Sequence, residues 1–255
     1  GADLAYIGSA FIATEEANAV DRYKQGIVEG RAADIVYTDL FTGVHGNYLR
    51  GSIQAAGLDP DDPFAGVENV REFVYFDIDE DGDADAIFLS SDETVRIFQN
   101  ERGGLFRPFD TAALTGVRSI AVGDASGAAR LELVTAAATN VSTTFFDGTD
   151  FKTQELVSLD DPCEADCRLF IADVDNNGAE DILVSRAGGT AIHLRNSDGS
   201  FVRHTTPITT HAIADTNGDG RLDLLAIGLR SSTPRFALLL NTGSAAAPFA
   251  ASAFS

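Results

Sequence analysis

The stretch Phe76–Leu89 reads FDIDEDGDADAIFL, in which acidic residues crowd around a glycine and an apolar run follows. The pattern recurs as ADVDNNGAEDILV at Ala172–Val184 and as ADTNGDGRLDLLA at Ala214–Ala226. A degenerate copy, GDASGAARLELV, occupies Gly123–Val134. The first acids of the four copies are 47, 49 and 42 residues apart. The chain therefore contains an internal repeat of about 45 residues.

Each copy is followed by a polar turn and then a phenylalanine. These pairs are Asn100 and Phe106, Asp147 and Phe151, Asn196 and Phe201, and Asn241 and Phe249. Short apolar segments alternate with Gly, Asn and Asp turns, which is typical of short strands. About 45 residues rich in such strands is the size of one four-stranded propeller blade. We therefore expect a mainly β fold, with residues 70–255 forming radially arranged four-stranded sheets.

The acidic loops have the chemistry of calcium sites. Ca²⁺ takes about 6–8 oxygen ligands, and acids at alternate positions turn their carboxylates inward around a glycine at position 6. Positions 1, 3, 5 and 9 would offer side-chain oxygens, and position 7 a backbone carbonyl. The predicted ligands are Asp77, Asp79, Asp81, Asp83, Asp85; Asp173, Asp175, Asn177, Ala179, Asp181; and Asp215, Asn217, Asp219, Arg221, Asp223.

Two other interpretations of these loops are an EF-hand and a metal-free polar turn. An EF-hand requires a Glu at position 12 between two helices, but Phe88, Val184 and Ala226 stand there, so the EF-hand is excluded. Metal-free polar turns remain the alternative for any single loop, and three loops in matched register favour metal. The first loop has the most acids and should bind tightest. The loop at Asp124 lacks two acidic positions and is predicted to hold no metal.

The pattern Asp-x-Asp-x-Asp/Asn-Gly-x-x-Asp before an apolar strand, with Asn, Gly and Phe further on, resembles the FG-GAP/VCBS repeat. That family includes the propeller heads of integrin α chains and many secreted bacterial proteins. The resemblance covers about residues 70–255. It implies a non-catalytic module that binds a protein or glycan in an extracellular or periplasmic setting. Such propellers commonly have seven blades, whereas four repeats are present, which leaves open a four-bladed ring or an incomplete one.

Residues 1–62 lack the acidic repeat, and their pattern predicts a mixture of helices and short strands. Ala5–Ile7 and Asp34–Thr38 predict short strands, Thr14 is placed to cap a helix over Glu15–Glu29, and Asn47–Ala56 predicts a second helix. The segment Leu58–Pro63 has two prolines and three carboxylates, which indicates a boundary. We therefore expect two parts, residues 1–62 and residues 63–255.

The first part resembles the end of the TIM barrel of nitronate monooxygenases, the 2-nitropropane dioxygenase-like flavoproteins. The resemblance rests on Gly1–Asn18, Asp34–Gly43 and Asn47–Arg50. It implies an alternative function, as a fragment of an FMN-dependent nitronate monooxygenase-like oxidoreductase in a cytoplasmic setting. In that case Gly8 and Ser9 match the loop that holds the FMN phosphate. A TIM barrel needs about 250 residues, so no complete active site is visible and we expect no stable FMN binding.

The composition of the chain restricts its function classes further. The chain has 39 acidic and 18 basic residues and a net charge of −21, which argues against nucleic acid. No apolar run reaches the roughly 20 residues that span a bilayer. The absence of Met, with Gly1 first, indicates a processed or partial chain. The two unlike resemblances leave open a natural or an artificial fusion. Cys163 and Cys167 form either a local disulfide or two free thiols.

Overall fold

The computed structural model describes residues 11–38, 46–55, 64, 66–101, 106–109, 114–230, 233–244 and 248–251. It divides into two units. The first comprises Gly1–Gly66 and Phe98–Phe109, and the second comprises Val67–Ile97 and Asp110–Ser255. The predicted strand Ala5–Ile7, the predicted phosphate-loop residues Gly8 and Ser9, and the predicted boundary Leu58–Pro63 lie outside the described residues.

The first unit has short helices and one pair of strands. Its described elements are α1 (Asp21–Glu29), a 3-10 helix (Ala32–Asp34), β1 (Ile35–Thr38), β2 (Gly46–Leu49) and α2 (Arg50–Ala55). Strands β1 and β2 pair antiparallel, with Ile35 opposite Leu49. The predicted strand Asp34–Thr38 is confirmed from Ile35 onward. The resemblance of this part to a TIM-barrel end stays a prediction.

Both predicted helices of this unit begin later than expected. The hydroxyl of Thr14 donates to the carbonyl of Phe11, so its proton points backward and residues 14–20 form turns and bends instead of helix. The helix starts only after Val20, whose backbone is extended. In the second case Asn47 pairs with Tyr37 across the β1–β2 ladder, and the helix starts at Arg50. Tertiary strand pairing overrides local helix propensity there.

The repeat region consists of short antiparallel strands. The strands are β3 (Val70–Phe76), β4 (Asp85–Ser90), β5 (Val95–Asn100), β6 (Phe106–Pro108), β7 (Val117–Gly123), β8 (Glu132–Ala137), β9 (Asn140–Phe146), β10 (Phe151–Ser158), β11 (Arg168–Ala172), β12 (Asp181–Arg186), β13 (Gly189–Arg195), β14 (Phe201–Thr206), β15 (Thr210–Ala214), β16 (Asp223–Arg230), β17 (Thr233–Asn241) and β18 (Phe249–Ala251). They form four four-stranded sheets in chain order among the described residues, namely β3–β6, β7–β10, β11–β14 and β15–β18.

The sheets follow one another as propeller blades. Within the second unit β3 lies beside β7, and β7 beside β11, so the first strands of the first three sheets are neighbours. The first strand of the fourth sheet, β15, contacts β12 of the third. The second strand is the most buried one in the first two sheets, and every residue of β4 is buried. In the third sheet β12 and β13 are both buried except for their last residue. Apolar clusters fill the space between neighbouring sheets: Val134 and Val141 of the second sheet pack with Ile182 and Val184 of the third. The predicted mainly β, four-blade arrangement is confirmed.

The turns predicted from the second sequence signal fall where a blade needs them. Phe106, Phe151, Phe201 and Phe249 each begin the fourth strand of a sheet. Asn100 lies opposite Phe106, and Asn241 lies opposite Phe249, in the last ladders of their sheets. Each polar turn therefore closes the outer hairpin of its blade.

The two cysteines lie in the connection between β10 and β11. Cys163 and Cys167 form a disulfide, and both are 1% exposed. They pack with Val157 and Leu169 in the apolar cluster between the second and third sheets. Of the two alternatives left open by the sequence, the structure has the local disulfide.

Candidate metal centres

The four acidic loops occupy one structural position. Each connects the first strand of a sheet to the second, at residues 77–84, 124–131, 173–180 and 215–222. Position 1 immediately follows the first strand, and position 9 is the first residue of the second strand. The repeat in the sequence is therefore a repeat of one inner hairpin.

Hydrogen bonds from the backbone to position 1 shape these loops. In all four, the carboxylate at position 1 accepts the amide N–H of position 6, at 2.8–3.0 Å between N and Oδ2. Positions 4 and 6 have positive φ in every loop, as at Glu80 (62°) and Gly82 (95°) in the first. Glycine is favoured at position 6 because only it adopts that conformation without steric cost.

The acid at position 9 is fully buried in every loop. Asp85, Asp181, Asp223 and Glu132 each have 0% exposure. Asp181 shows how the group is held: one oxygen accepts the N–H of Val174 at 2.8 Å, and the other accepts the N–H of Arg195 at 2.7 Å. This carboxylate thus joins its own loop to the third strand of the blade.

Two of the predicted loops bring three carboxylates together. Oxygens of Asp77, Asp79 and Asp85 lie within 4.8 Å of one another in the first loop. Oxygens of Asp173, Asp175 and Asp181 do the same in the third loop. Three converging carboxylates at positions 1, 3 and 9 are a hard-oxygen donor set of the kind that Ca²⁺ prefers.

The predicted ligands at position 5 are held differently. The Oδ1 atom of Asp81 accepts the N–H of Asp83 at 3.0 Å. The Oδ1 atom of Asn177 accepts the N–H of Ala179 at 2.7 Å. Asp81 does not belong to the three-carboxylate cluster of its loop. The position 7 residues Asp83 and Ala179 are thereby tied to position 5 through their amides.

Electrostatics favour a cation at the third loop. Burial raises the pKa of Asp181 to about 6. Burial also raises the pKa of Asp175, and the neighbouring charge of Asp173 adds to that shift. A pKa raised by burial and by like charges means that the ionised carboxylates lack compensation. A bound cation would supply it.

The loop at Asp215 is compensated from within. The N–H of Gly220 lowers the pKa of Asp215. Burial alone would raise the pKa of Asp223, but hydrogen bonds from Thr216 and Asn241 outweigh it and the pKa is lowered. The Arg221 guanidinium lies 2.7 Å from an oxygen of Asp219. The sequence predicts only the backbone carbonyl of Arg221 as a ligand, and it does not predict this contact of the side chain with Asp219.

Position 12 of each loop rules out the EF-hand in the structure as well. Phe88, Val184 and Ala226 lie within β4, β12 and β16 and are at most 8% exposed. A residue buried inside a strand cannot supply the carboxylate of an EF-hand. The exclusion made from the sequence is confirmed.

His193, which the sequence did not single out, is a buried titratable group on β13. It is 4% exposed, and its Nε2 atom has no hydrogen-bond partner among the described residues. Burial lowers its pKa to about 4, the nearby Arg203 and Arg186 guanidiniums add to the shift, and the Asp160 carboxylate opposes it. The folded protein therefore keeps this imidazole neutral.

This buried imidazole predicts a loss of stability in acid. The pKa of His193 in the folded protein lies below its value near 6.5 in the unfolded chain. The stability that the neutral imidazole contributes is therefore complete above about pH 6.5, and it is lost as the pH falls toward 4. Between pH 7.5 and pH 4.5 the free energy of unfolding should fall by about 2–3 kcal/mol less in His193→Leu than in the wild-type protein. Urea unfolding of both proteins at the two pH values measures the difference. Identical pH dependence would contradict the prediction.

Comparison with solved structures finds distant likenesses. One structure, titled for the recognition of non-reducing terminal N-acetylglucosamine by an Agrocybe aegerita lectin, is 19% identical, with a TM-score of 0.48. The alignment covers 85% of this chain and 59% of that one. Another, BBS1N in complex with ARL6DN, is 17% identical, covers 69% of this chain and 55% of that one, and has a TM-score of 0.43. This chain thus spans less than two thirds of either.

Comparison with curated proteins finds no match. A family model does match part of the chain, at residues 173–226, and it describes the FG-GAP-like repeat. The matched segment runs from the third acidic loop to the middle of β16 and includes both the Asp173 and Asp215 loops. The four-blade arrangement therefore contains an FG-GAP-like repeat.

Proposed function

We propose that this protein is a calcium-stabilised β-propeller module that binds a protein or glycan and performs no catalysis. The observation that carries the proposal is the convergence of three carboxylates at the same positions in two different blades. An FG-GAP-like repeat over residues 173–226 is consistent with it. An extracellular or periplasmic setting, where calcium is abundant, fits the same proposal.

The ions would be structural. Each cluster lies where the first hairpin of a blade turns, and its position 9 acid begins the buried second strand. A cation there would join positions 1 and 3 of the loop to the first residue of the strand. The loops at Asp77 and Asp173 are the main sites, and the loop at Asp215, with Asn217 at position 3, is a weaker third one. No helix among the described residues is long and apolar enough to cross a bilayer.

Isothermal titration of metal-free protein with CaCl₂ tests the proposal. We expect two sites with dissociation constants below about 10⁻⁴ M, within the range of protein calcium sites. Asp79→Ala and Asp175→Ala should each abolish one of them, and Mg²⁺ should bind more weakly because it demands octahedral geometry. The calcium-loaded protein, applied to a glycan array, should then show the ligand class. The absence of calcium binding would overturn the proposal.

A further inference from the structure

Two of the four acidic loops have an arginine at position 7. Arg130 occupies it in the second blade and Arg221 in the fourth, whereas Asp83 and Ala179 occupy it in the other two. All four loops have the same signs of φ at positions 4 and 6 and a buried acid at position 9. The loops therefore share a backbone shape and differ in the charge that their side chains supply.

Arg130 supplies a positive charge to the second-blade loop. Its Nε atom lies 3.6 Å from Oε1 of Glu132, the position 9 acid, whose side chain is 1% exposed. That oxygen is buried and accepts no hydrogen bond from the described residues. The guanidinium also lies over the ring of Phe145, with 3.6 Å between Cζ and the ring centroid. Arg130 is thus packed against the blade with its charge beside the buried carboxylate.

A second guanidinium reaches the same loop from the next blade. The NH2 group of Arg195 donates to the carbonyl of Ser126 at 2.8 Å. The guanidinium fills the space where a Cβ on Gly127 would lie. Two cationic side chains therefore meet the one loop in which Ser126 and Ala128 stand at the acidic positions 3 and 5.

Arg221 plays a comparable part in the fourth blade. Its NH2 group is paired with Asp219 at position 5, and its Nε atom donates to the carbonyl of Asn241 at 3.3 Å. The side chain is therefore anchored at both ends of its guanidinium, and it neutralises one of the acids predicted to bind calcium. Among the described residues this loop forms no cluster of three carboxylates, in contrast to the loops at Asp77 and Asp173.

We propose that the arginine at position 7 is a built-in cation that takes the place of calcium, wholly in the second blade and in competition with the ion in the fourth. The proposal rests on the calcium function proposed above. It divides the loops into two classes: those at Asp77 and Asp173 require a metal ion, and those at Asp124 and Asp215 carry their own positive charge.

The test compares calcium titrations and melting curves of three single variants. Arg221→Ala should raise the calcium affinity of the weakest site by about tenfold or more, because a like charge close to the ion is removed. Arg130→Ala should lower the melting temperature by about 5–15 °C, equally in calcium and in EDTA, because Glu132 is left buried without its partner and the loop has no ligands to recruit an ion. Lys152→Ala, which removes an exposed positive charge paired with Asp147 and Asp150, should change neither readout appreciably.

Two further variants keep the test decisive if Arg130→Ala folds poorly. Arg130→Lys retains the charge and should recover much of the stability. The double variant Arg130→Ala/Glu132→Gln removes both charges and should be more stable than Arg130→Ala alone. An unchanged calcium affinity in Arg221→Ala, or a melting loss in Arg130→Ala that calcium reverses, would overturn the inference. If the wild-type protein bound no calcium, the proposed function would fail, whereas the coupling of Arg130 to Glu132 would still be measured in metal-free protein.

Discussion

Removal of calcium is expected to lower the free energy of unfolding by about 5 kcal/mol relative to protein in a hundredfold excess of the ion over its dissociation constant. Each site that binds only the folded state contributes RT ln(1 + [L]/Kd), or about 2.7 kcal/mol at that excess. The part of the chain that the structure describes has two three-carboxylate clusters, at Asp77, Asp79 and Asp85 and at Asp173, Asp175 and Asp181. Thermal melting with calcium and with EDTA measures the difference, which should amount to about 10–20 °C.

Single substitutions assign this response to individual loops. Asp79→Ala and Asp175→Ala should each remove about half of the difference between calcium and EDTA. Asp150→Ala is the matched control, since Asp150 is an exposed acid in the β9–β10 turn and belongs to neither cluster. A melting curve that EDTA leaves unchanged in metal-free buffer would show that the loops are ordinary polar turns.

Asp181→Ala is expected to destabilise the fold by about 3–5 kcal/mol in the presence of calcium. The substitution removes a proposed calcium ligand. It also removes the carboxylate to which the backbone N–H groups of Val174 and Arg195 donate hydrogen bonds, at 2.8 and 2.7 Å. An unsatisfied buried donor costs about 1–3 kcal/mol. Urea unfolding measures the loss, and a substantial part of it should persist in EDTA because the two hydrogen bonds do not involve the metal.

Asp198→Ala provides the comparison for this effect. Asp198 lies in the exposed β13–β14 turn and accepts the N–H of Ser200 at 2.9 Å. It also accepts the hydroxyl of Ser200 at 2.6 Å. The loss of these two exposed hydrogen bonds should cost at most about 1–2 kcal/mol, because water replaces them. If Asp181→Ala cost no more than Asp198→Ala, the buried carboxylate would not be the structural link that its contacts indicate.

Much of the blade architecture follows from local sequence. The acidic loops and the Asn-to-Phe turns define the inner and outer hairpins of each repeat, because Gly, Asn and Asp adopt turn conformations largely independently of distant residues. The helix boundaries of the first unit do not follow from local sequence, since Asn47–Leu49 directly precede α2 but pair with β1 in the structure. A strand partner elsewhere in the chain leaves no signal in those residues themselves.

In the metal centres, too, some features follow from local sequence and others only from packing. The sequence predicted which loops repeat and where the position 9 acids lie, and the structure places Asp85, Asp181 and Asp223 at the start of buried strands. The ligand types of a loop do not by themselves show that the Arg130 and Arg221 side chains pair with acids of the same loop. The acidic neighbours of these arginines at positions 9 and 5 were visible in the sequence, and they were the signal that charge compensation was possible.

The number of repeats, their register and the turn chemistry of each hairpin can be derived from the sequence, because these depend on residues within a few positions of one another. Which charges are compensated depends instead on contacts between residues that are distant in the chain. Arg195 meets the carbonyl of Ser126, 69 residues earlier in the chain, and His193 becomes buried near Arg203 and Arg186. The Arg195 contact joins the third blade to the second, whereas His193, Arg203 and Arg186 lie on neighbouring strands of one sheet. In both cases the energy of a charge is set by its surroundings in the packed protein and not by its neighbours in sequence.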